Sequence, residues 1–333
     1  MPTIKDVAKL AGVSLGTVSN VINGYESVKS DIVKRVETAI KDLGYQPNLK
    51  AQSMRNSRSG YIGVLLPNIT DNIYIRIYNG VERIASRNGY TIVLHISNGS
   101  PEIEEILLSR MQQQRIDGAV IITCMPDKTD TFEQLAGSDI KLVFVRRMPG
   151  NLKGMVFFGI DEKKAVYDAA LNLVKAGFSE IALLSGRVEY SNEKDCILGY
   201  KEAMAAADGR SRRKIVESIG GGKENAFRTA VRWIHEETGL QAIITTCPEY
   251  AMGILSAVEI FRMEKPPLIL SLDNNNWGPA ASSTPELIKI FQQYDRLGEK
   301  AAEKLLAIIK SADKSKGKKT FLPAEPFTYS AQP

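Results

Sequence analysis

Histidine is nearly absent from this chain, with only His95 and His235 among 333 residues. Neither sits in a recognisable motif, so acid–base or metal chemistry built on imidazole has little to work with. Cysteine is as scarce: Cys124, Cys196 and Cys247 follow no metal-ligand spacing and cannot all pair within one chain. That disfavours a zinc site and a disulfide framework, and it suits a reducing cytosol. Long apolar runs are missing too. No segment approaches the ~18 uninterrupted apolar residues of a membrane span, and no basic stretch followed by an apolar one opens the sequence. These shortages lead us to expect a cytoplasmic protein that is no enzyme, needs no cofactor or metal and has no membrane partner.

The composition present is that of a globular protein, with 44% hydrophobic and 24% charged residues. A chain of this length is expected to divide into two or three domains of roughly 100 to 200 residues. Charge is unevenly spread. Residues 1–60 hold nine Lys and Arg against five Asp and Glu, which accounts for +4 of the net +5. A positive field concentrated at one end suits a phosphate backbone, and it also suits a plain solvated helix pair.

The first 45 residues read as three short helices. Ile4, Val7, Ala8 and Ala11 recur at helical spacing after a Thr3 cap, Gly12 interrupts, and Ser14 restarts the pattern with Val18, Val21 and Ile22 inward. Asn23-Gly24 stops the second helix. A third runs from about Ser30, with Val33, Val36, Ile40 and Leu43 on one side, to Gly44. Two helices joined by a tight glycine turn have helix-turn-helix geometry. After Pro47 comes "NLKAQSMRNSRSG", too polar to hold a fold alone, and read as a linker or conditional helix.

From Tyr61 the pattern changes to short β-branched runs, "YIGVLLP", "TIVLHIS", "GAVIIT", "KLVFVRR", "IALLSG", "AIITTC" and "LILSLD". They alternate with amphipathic segments at about 73–87, 101–114, 162–176, 193–207, 223–238, 249–263 and 295–310. Strand then helix, repeated, predicts α/β lobes with doubly wound parallel sheets. There are too many strands for one sheet, so two lobes with a cleft are expected. The expected boundaries are 1–46 for an all-α headpiece and 47–60 for a hinge. The first lobe takes 61–160 with 293–320, and the second takes 161–292 with 321–333. "SADKSKGKKT" reads as a solvated loop, and Gly220–Gly222 lacks the context of a phosphate loop.

"TIKDVAKLAGVSLGTVSNVIN", then "RVETAIKDLGYQPNLKAQSMR" and "IGVLLP", resembles the LacI-type family of bacterial transcription regulators over essentially the whole chain. The resemblance implies a periplasmic-binding-protein-like core and a homodimer whose headpieces occupy successive major grooves of pseudo-palindromic, double-stranded operator DNA at the nucleoid. Helix 2 would read it, with Ser14, Thr17 and Ser19 on phosphates and Leu15, Gly16 and Asn20 toward base edges. Thr3 and Asn23 are counted among the DNA contacts. Leu15 offers apolar contact to a thymine methyl, Gly16 only a close backbone, and Asn20 a pairing with adenine. Met54 stands where the family inserts an apolar wedge into the minor groove, and a gap-filling contact in the hinge is the other role open to it. Lys50, Arg55 and Arg58 would neutralise backbone charge.

The same resemblance implies a small effector between the lobes, of unknown identity and often a sugar or nucleobase. Tyr74 matches an aromatic that stacks on the ligand, while Asp161 and Asp273 match hydrogen-bond acceptors; Trp277 in "DNNNW" is expected nearby. Other positions depart from the family pattern. Cys196 replaces a ligand-clamping Arg, Cys247-Pro248 replaces an Asn-Asp pair, and Arg146-Arg147 reverses a charge after "KLVFV". An arginine fork suits carboxylate or phosphate, so an anionic metabolite gains weight over a sugar-like one. Pairing with neighbouring acids is the alternative role of these arginines. Two further functions remain open: a regulator controlled by a partner protein, with a vestigial cleft, and a solute-binding protein.

Overall fold

The computed structural model describes residues 2–22, 28–45, 58–138, 140–150, 154–207, 213–236, 239–272, 287–310 and 317–324. The chain forms two compact units, Met1–Ser59 and Gly60–Pro333.

In the first unit, α1 (Ile4–Ala11) begins where Thr3 lends its backbone N–H and its hydroxyl to the Asp6 carboxylate, each at 2.7 Å. This is the reciprocal half of a capping box. Gly12 ends the helix at φ 62°, a left-handed conformation that favours glycine. The turn leads to α2 (Leu15–Ile22). Arg35 of α3 (Ser30–Leu43) donates to the carbonyls of Ala11 and Gly12, tying the third helix to the turn. Val7, Val18 and Val36, one from each helix, are fully buried together. Each contributes about 1.5–3 kcal/mol of burial, a small core for a three-helix unit.

The second unit is two parallel sheets. β1 (Tyr61–Leu66), β2 (Thr91–Ile96), β3 (Gly118–Ile121), β4 (Lys141–Val145), β5 (Val156–Ile160) and β11 (Lys319–Leu322) form the first, in the order β11-β5-β4-β3-β1-β2. The second is β10-β9-β8-β6-β7, built from β6 (Glu180–Ser185), β7 (Arg213–Ser218), β8 (Ala242–Thr245), β9 (Leu268–Leu272) and β10 (Leu287–Ile290). Alternate side chains serve opposite faces. Val64 and Val120 pack under α4 (Asn72–Arg87) and α11 (Tyr294–Ile309), while Leu65 and Ile121 pack under α5 (Pro101–Gln113) and α6 (Thr129–Gly137). In the second lobe α7 (Glu162–Lys175) and α8 (Ser191–Ala206) cover one face, and α9 (Lys223–His235) and α10 (Pro248–Ile260) the other. Helices α4 and α11 cross at glycines: a Cβ on Gly80 would stand 2.1 Å from the Asp295 carbonyl, and one on Gly298 2.0 Å from that of Ile77.

Four strands and one helix escape the sequence pattern. β7, β10 and β11 are sheet edges, with one side unpaired, so they carry Arg213, Lys214, Lys289 and Lys319 where inner strands carry aliphatics. β5 follows a polar stretch that breaks its apolar run, and α6 is short. β11 also corrects two expectations. Lys319 and Thr320 belong to a strand and not to a solvated loop, and Phe321 and Leu322 pair with Gly159 and Ile160. The first lobe's sheet therefore extends to Leu322, past the expected boundary at 320, because backbone pairing to β5 continues.

Candidate functional site

Helix α2 presents Leu15, 45% exposed, with Gly16 and Asn20 exposed beside it. Gly16 and Asn20, four residues apart, share one flank of the helix, Leu15 stands at its first turn, and Val18 is buried. Ser14 precedes the helix, and its hydroxyl accepts from the Thr17 N–H at 3.1 Å and exchanges a hydrogen bond with the Thr17 hydroxyl at 2.8 Å. Both oxygens are thus oriented by the helix start and keep capacity for a further partner. Ser19 is half-buried. The Thr3 hydroxyl is engaged with Asp6, whose carboxyl is held below its ordinary 3.8 by those donors, chiefly the hydroxyl. At Gly16 an added Cβ would meet only Ser14 Oγ, at 3.7 Å, so the small residue is not dictated by packing. Asn23, Lys50, Met54 and Arg55 lie outside the described residues.

In the larger unit, residues following β4 meet the first turns of α7 and α8 of the second lobe, and the end of β4 supplies positive charge there. Arg146 has φ 61°, an uncommon conformation for a residue with a Cβ. The Arg147 N–H closes a tight turn onto the Val145 carbonyl at 2.6 Å, and the Arg146 N–H bonds the Phe158 carbonyl at 2.8 Å. The two side chains then separate. Arg146, 5% exposed, sits 6.0 Å from the ring centre of Tyr74 and 5.9 Å from that of Tyr294. Its Nε donates to Glu162 Oε1 at 3.4 Å, an oxygen that also accepts from Tyr294 Oη at 3.1 Å. Cys196 Sγ lies 4.0 Å from the other Glu162 oxygen. Burial pushes Glu162 above the usual carboxylate range, and Arg146 opposes the shift.

Arg147 is placed differently. Its guanidinium carbon stands 3.8 Å above the Tyr190 ring centre and 5.6 Å from that of Tyr74, and its Nε is buried with no hydrogen-bond partner. No carboxylate among the described residues forms an ion pair with it. Nearby, Glu193 accepts from Gly186 N–H at 2.9 Å, Thr246 Oγ1 at 2.7 Å and Asn192 Nδ2 at 2.9 Å. Asn192 Oδ1 is buried without a partner. Burial raises Tyr74 to about 12 and holds the Cys196 and Cys247 thiols well above their ordinary range, so these sulfurs stay protonated.

The structure thus gathers Tyr74, Arg146, Arg147 and Cys196 around one root of the cleft. Asp161 has another task, since its carboxylate accepts from the Lys164 N–H at 3.0 Å and caps α7. Asp273 and Trp277 lie outside the described residues. Sequence reasoning missed Glu162, Tyr190, Asn192, Glu193 and Tyr294. Their signal was position: each lies at or beside the first turn of a helix that follows a strand, where parallel α/β folds aim residues at a ligand. A separate apolar concavity of about 580 Å³, which includes Phe178, Trp233 and Pro267, lies at the opposite ends of β6, β8 and β9.

Comparison with known proteins adds to this geometry. The family profile "Bacterial regulatory proteins, lacI family" matches residues 3–48, and "Periplasmic binding proteins and sugar binding domain of LacI family" matches residues 59–265. The transcriptional repressor PurR of Vibrio campbellii is 30% identical, over 96% of this chain and 95% of its own. The Lac repressor dimer bound to operator and the anti-inducer ONPF superimposes with TM-score 0.82 at 20% identity, covering 98% and 99% of the two chains. Cra of Pseudomonas putida, in complex with fructose 1-phosphate, gives 0.73 at 20% identity over 81% and 99%. At such identities the two structural likenesses establish the fold alone.

Proposed function

Because the chain belongs to the lacI family of bacterial regulatory proteins, we propose that it is a repressor that binds a pseudo-palindromic operator as a homodimer and answers to an anionic metabolite in its cleft. The coarser part follows from membership: it is a DNA-binding transcriptional regulator with an effector-binding domain. The finer part rests on Arg147. Stacking on Tyr190 holds its guanidinium plane, and a planar fork with an unmet donor suits the two oxygens of a carboxylate or phosphate. Arg146 is already matched by Glu162. The Cra complex shows a phosphorylated ligand in a related fold, which supports the same class here.

On the DNA side, Asn20 and Leu15 supply limited direct readout, Ser14 and Thr17 orient the headpiece on phosphates, and Met54 in the hinge contributes through DNA deformation. The effector acts by binding one lobe arrangement better than another, since equal affinity would shift nothing. The protein acts in the cytoplasm at the nucleoid; among the described residues no helix is long and apolar enough to cross a membrane.

Thermal-shift screening against sugars, sugar phosphates, organic acids and nucleotides tests the reading, paired with operator binding. An anionic compound should raise the melting temperature and change operator affinity, and Arg147→Gln should abolish both effects. Silence from every class would remove the effector and leave control by a partner protein in its place.

A further inference from the structure

The geometry points to a built-in tether: Arg146, Glu162 and Tyr294 hold the two lobes together through their own contacts, and confine any effector to the Arg147 side. Three separate segments meet there. Arg146 ends β4 and Tyr294 opens α11, both parts of the first lobe, whereas Glu162 opens α7 of the second. Glu162 is 3% exposed, Arg146 5% and Tyr294 0%, so the contact is made out of water, where removing one partner of an ion pair leaves the other buried and is costly. The positive φ of Arg146 sends this side chain to Glu162, while its neighbour goes to Tyr190, also of the second lobe. Met148 N–H reaches Ser191 Oγ of α8 at 3.2 Å beside it, a second bond between the lobes.

Position 196 gives the tether a bearing on specificity. Cys196 points at Glu162, so a long cationic side chain sent from α8 would meet the carboxylate that Arg146 already occupies. Arginine reaches this carboxylate from the opposite lobe, and the short thiol fits behind it. An effector held by a clamp from α8 is thereby excluded, which leaves the stacked Arg147 fork as the charged contact. This second half rests on the reading that an effector enters the cleft; the tether does not.

Two of the three buried, free cysteines, Cys247 and Cys124, provide the test. Cys247 is a buried thiol of the second lobe on which Asp71 and Arg146 of the first act electrostatically, and it is the chosen reporter of lobe separation. Cys124 packs inside the first lobe against Ser97 and Glu104, and reports only unfolding. Full-length protein without effector is treated with a thiol-modifying disulfide reagent, and each site is followed by mass spectrometry. Wild type should react slowly at Cys247. Glu162→Gln should speed Cys247 at least about tenfold relative to Cys124, and the milder Tyr294→Phe by a few-fold. If Cys247 accelerates no more than Cys124 in both variants, or reacts at the unfolded rate in wild type, the tether is wrong. Anion binding is measured on the same Glu162→Gln protein by thermal shift. Retained binding with an unmoved Cys247 rate overturns the tether alone, and a faster Cys247 with no anion bound by wild type overturns the effector reading and the confinement to Arg147 while the tether stands.

Discussion

The exposed face of α2 and the cluster around Arg146 are built on opposite principles. On α2 the exposed side chains are short and uncharged: Leu15, Gly16 and Asn20, with room to spare at Gly16. At the cleft root, Arg146, Glu162 and Glu193 are buried and hydrogen-bonded, while Arg147 Nε and Asn192 Oδ1 are buried without a partner. An exposed face is tuned cheaply, because changing one of its residues disturbs little else. A buried charged cluster changes only at a cost to the fold.

The largest effect that would break this comparison is removal of one side of it. Deleting residues 1–58 should leave a folded two-lobed core with no sequence-specific operator affinity, measurable by gel shift; retained specific binding would overturn the assignment of the reading face. Next comes Arg146→Ala, which strands Glu162 in the interior. Chemical denaturation should show the core losing about 3–5 kcal/mol, with the headpiece transition unmoved. A smaller effect is expected from Gly16→Gln. It should keep or slightly raise helix stability, by up to ~1 kcal/mol, yet shift the preferred base in a selection from random DNA; an unchanged operator would show that α2 lies elsewhere. The smallest effect concerns acid. Asp6 is held below its ordinary 3.8 by Thr3, so the stability it adds is present above that value and lost as pH falls through the lower folded one. Circular dichroism of the headpiece should show the first helix fraying only there, and Asp6→Asn should flatten that step.

Much of the headpiece was legible because helical contacts are local. Three or four residues separate Val7 from Ala11 and Val18 from Val21, so spacing alone separates the buried side from the exposed side. The inner strands other than β5 were legible for a similar reason, since a parallel strand covered on both faces must be apolar throughout. Edge strands β7, β10 and β11 were not, as half of their hydrogen-bonding and packing surface is free to be polar. Arg35 escaped too, because its acceptors, Ala11 and Gly12, lie far back in the chain.

By itself the sequence determined the order of the parts, the exposed face of α2 and the presence of two consecutive arginines after β4, all of which depend on neighbours a few residues apart. Only the tertiary structure decided that those arginines have different fates. Arg146 meets Glu162 and Tyr294, sixteen and well over a hundred residues away, while Arg147 settles on Tyr190. The physical reason is that a side chain's charge state and partners are set by what the folded chain brings within a few ångströms, and a positive φ at one residue sends two adjacent, chemically identical groups into different surroundings.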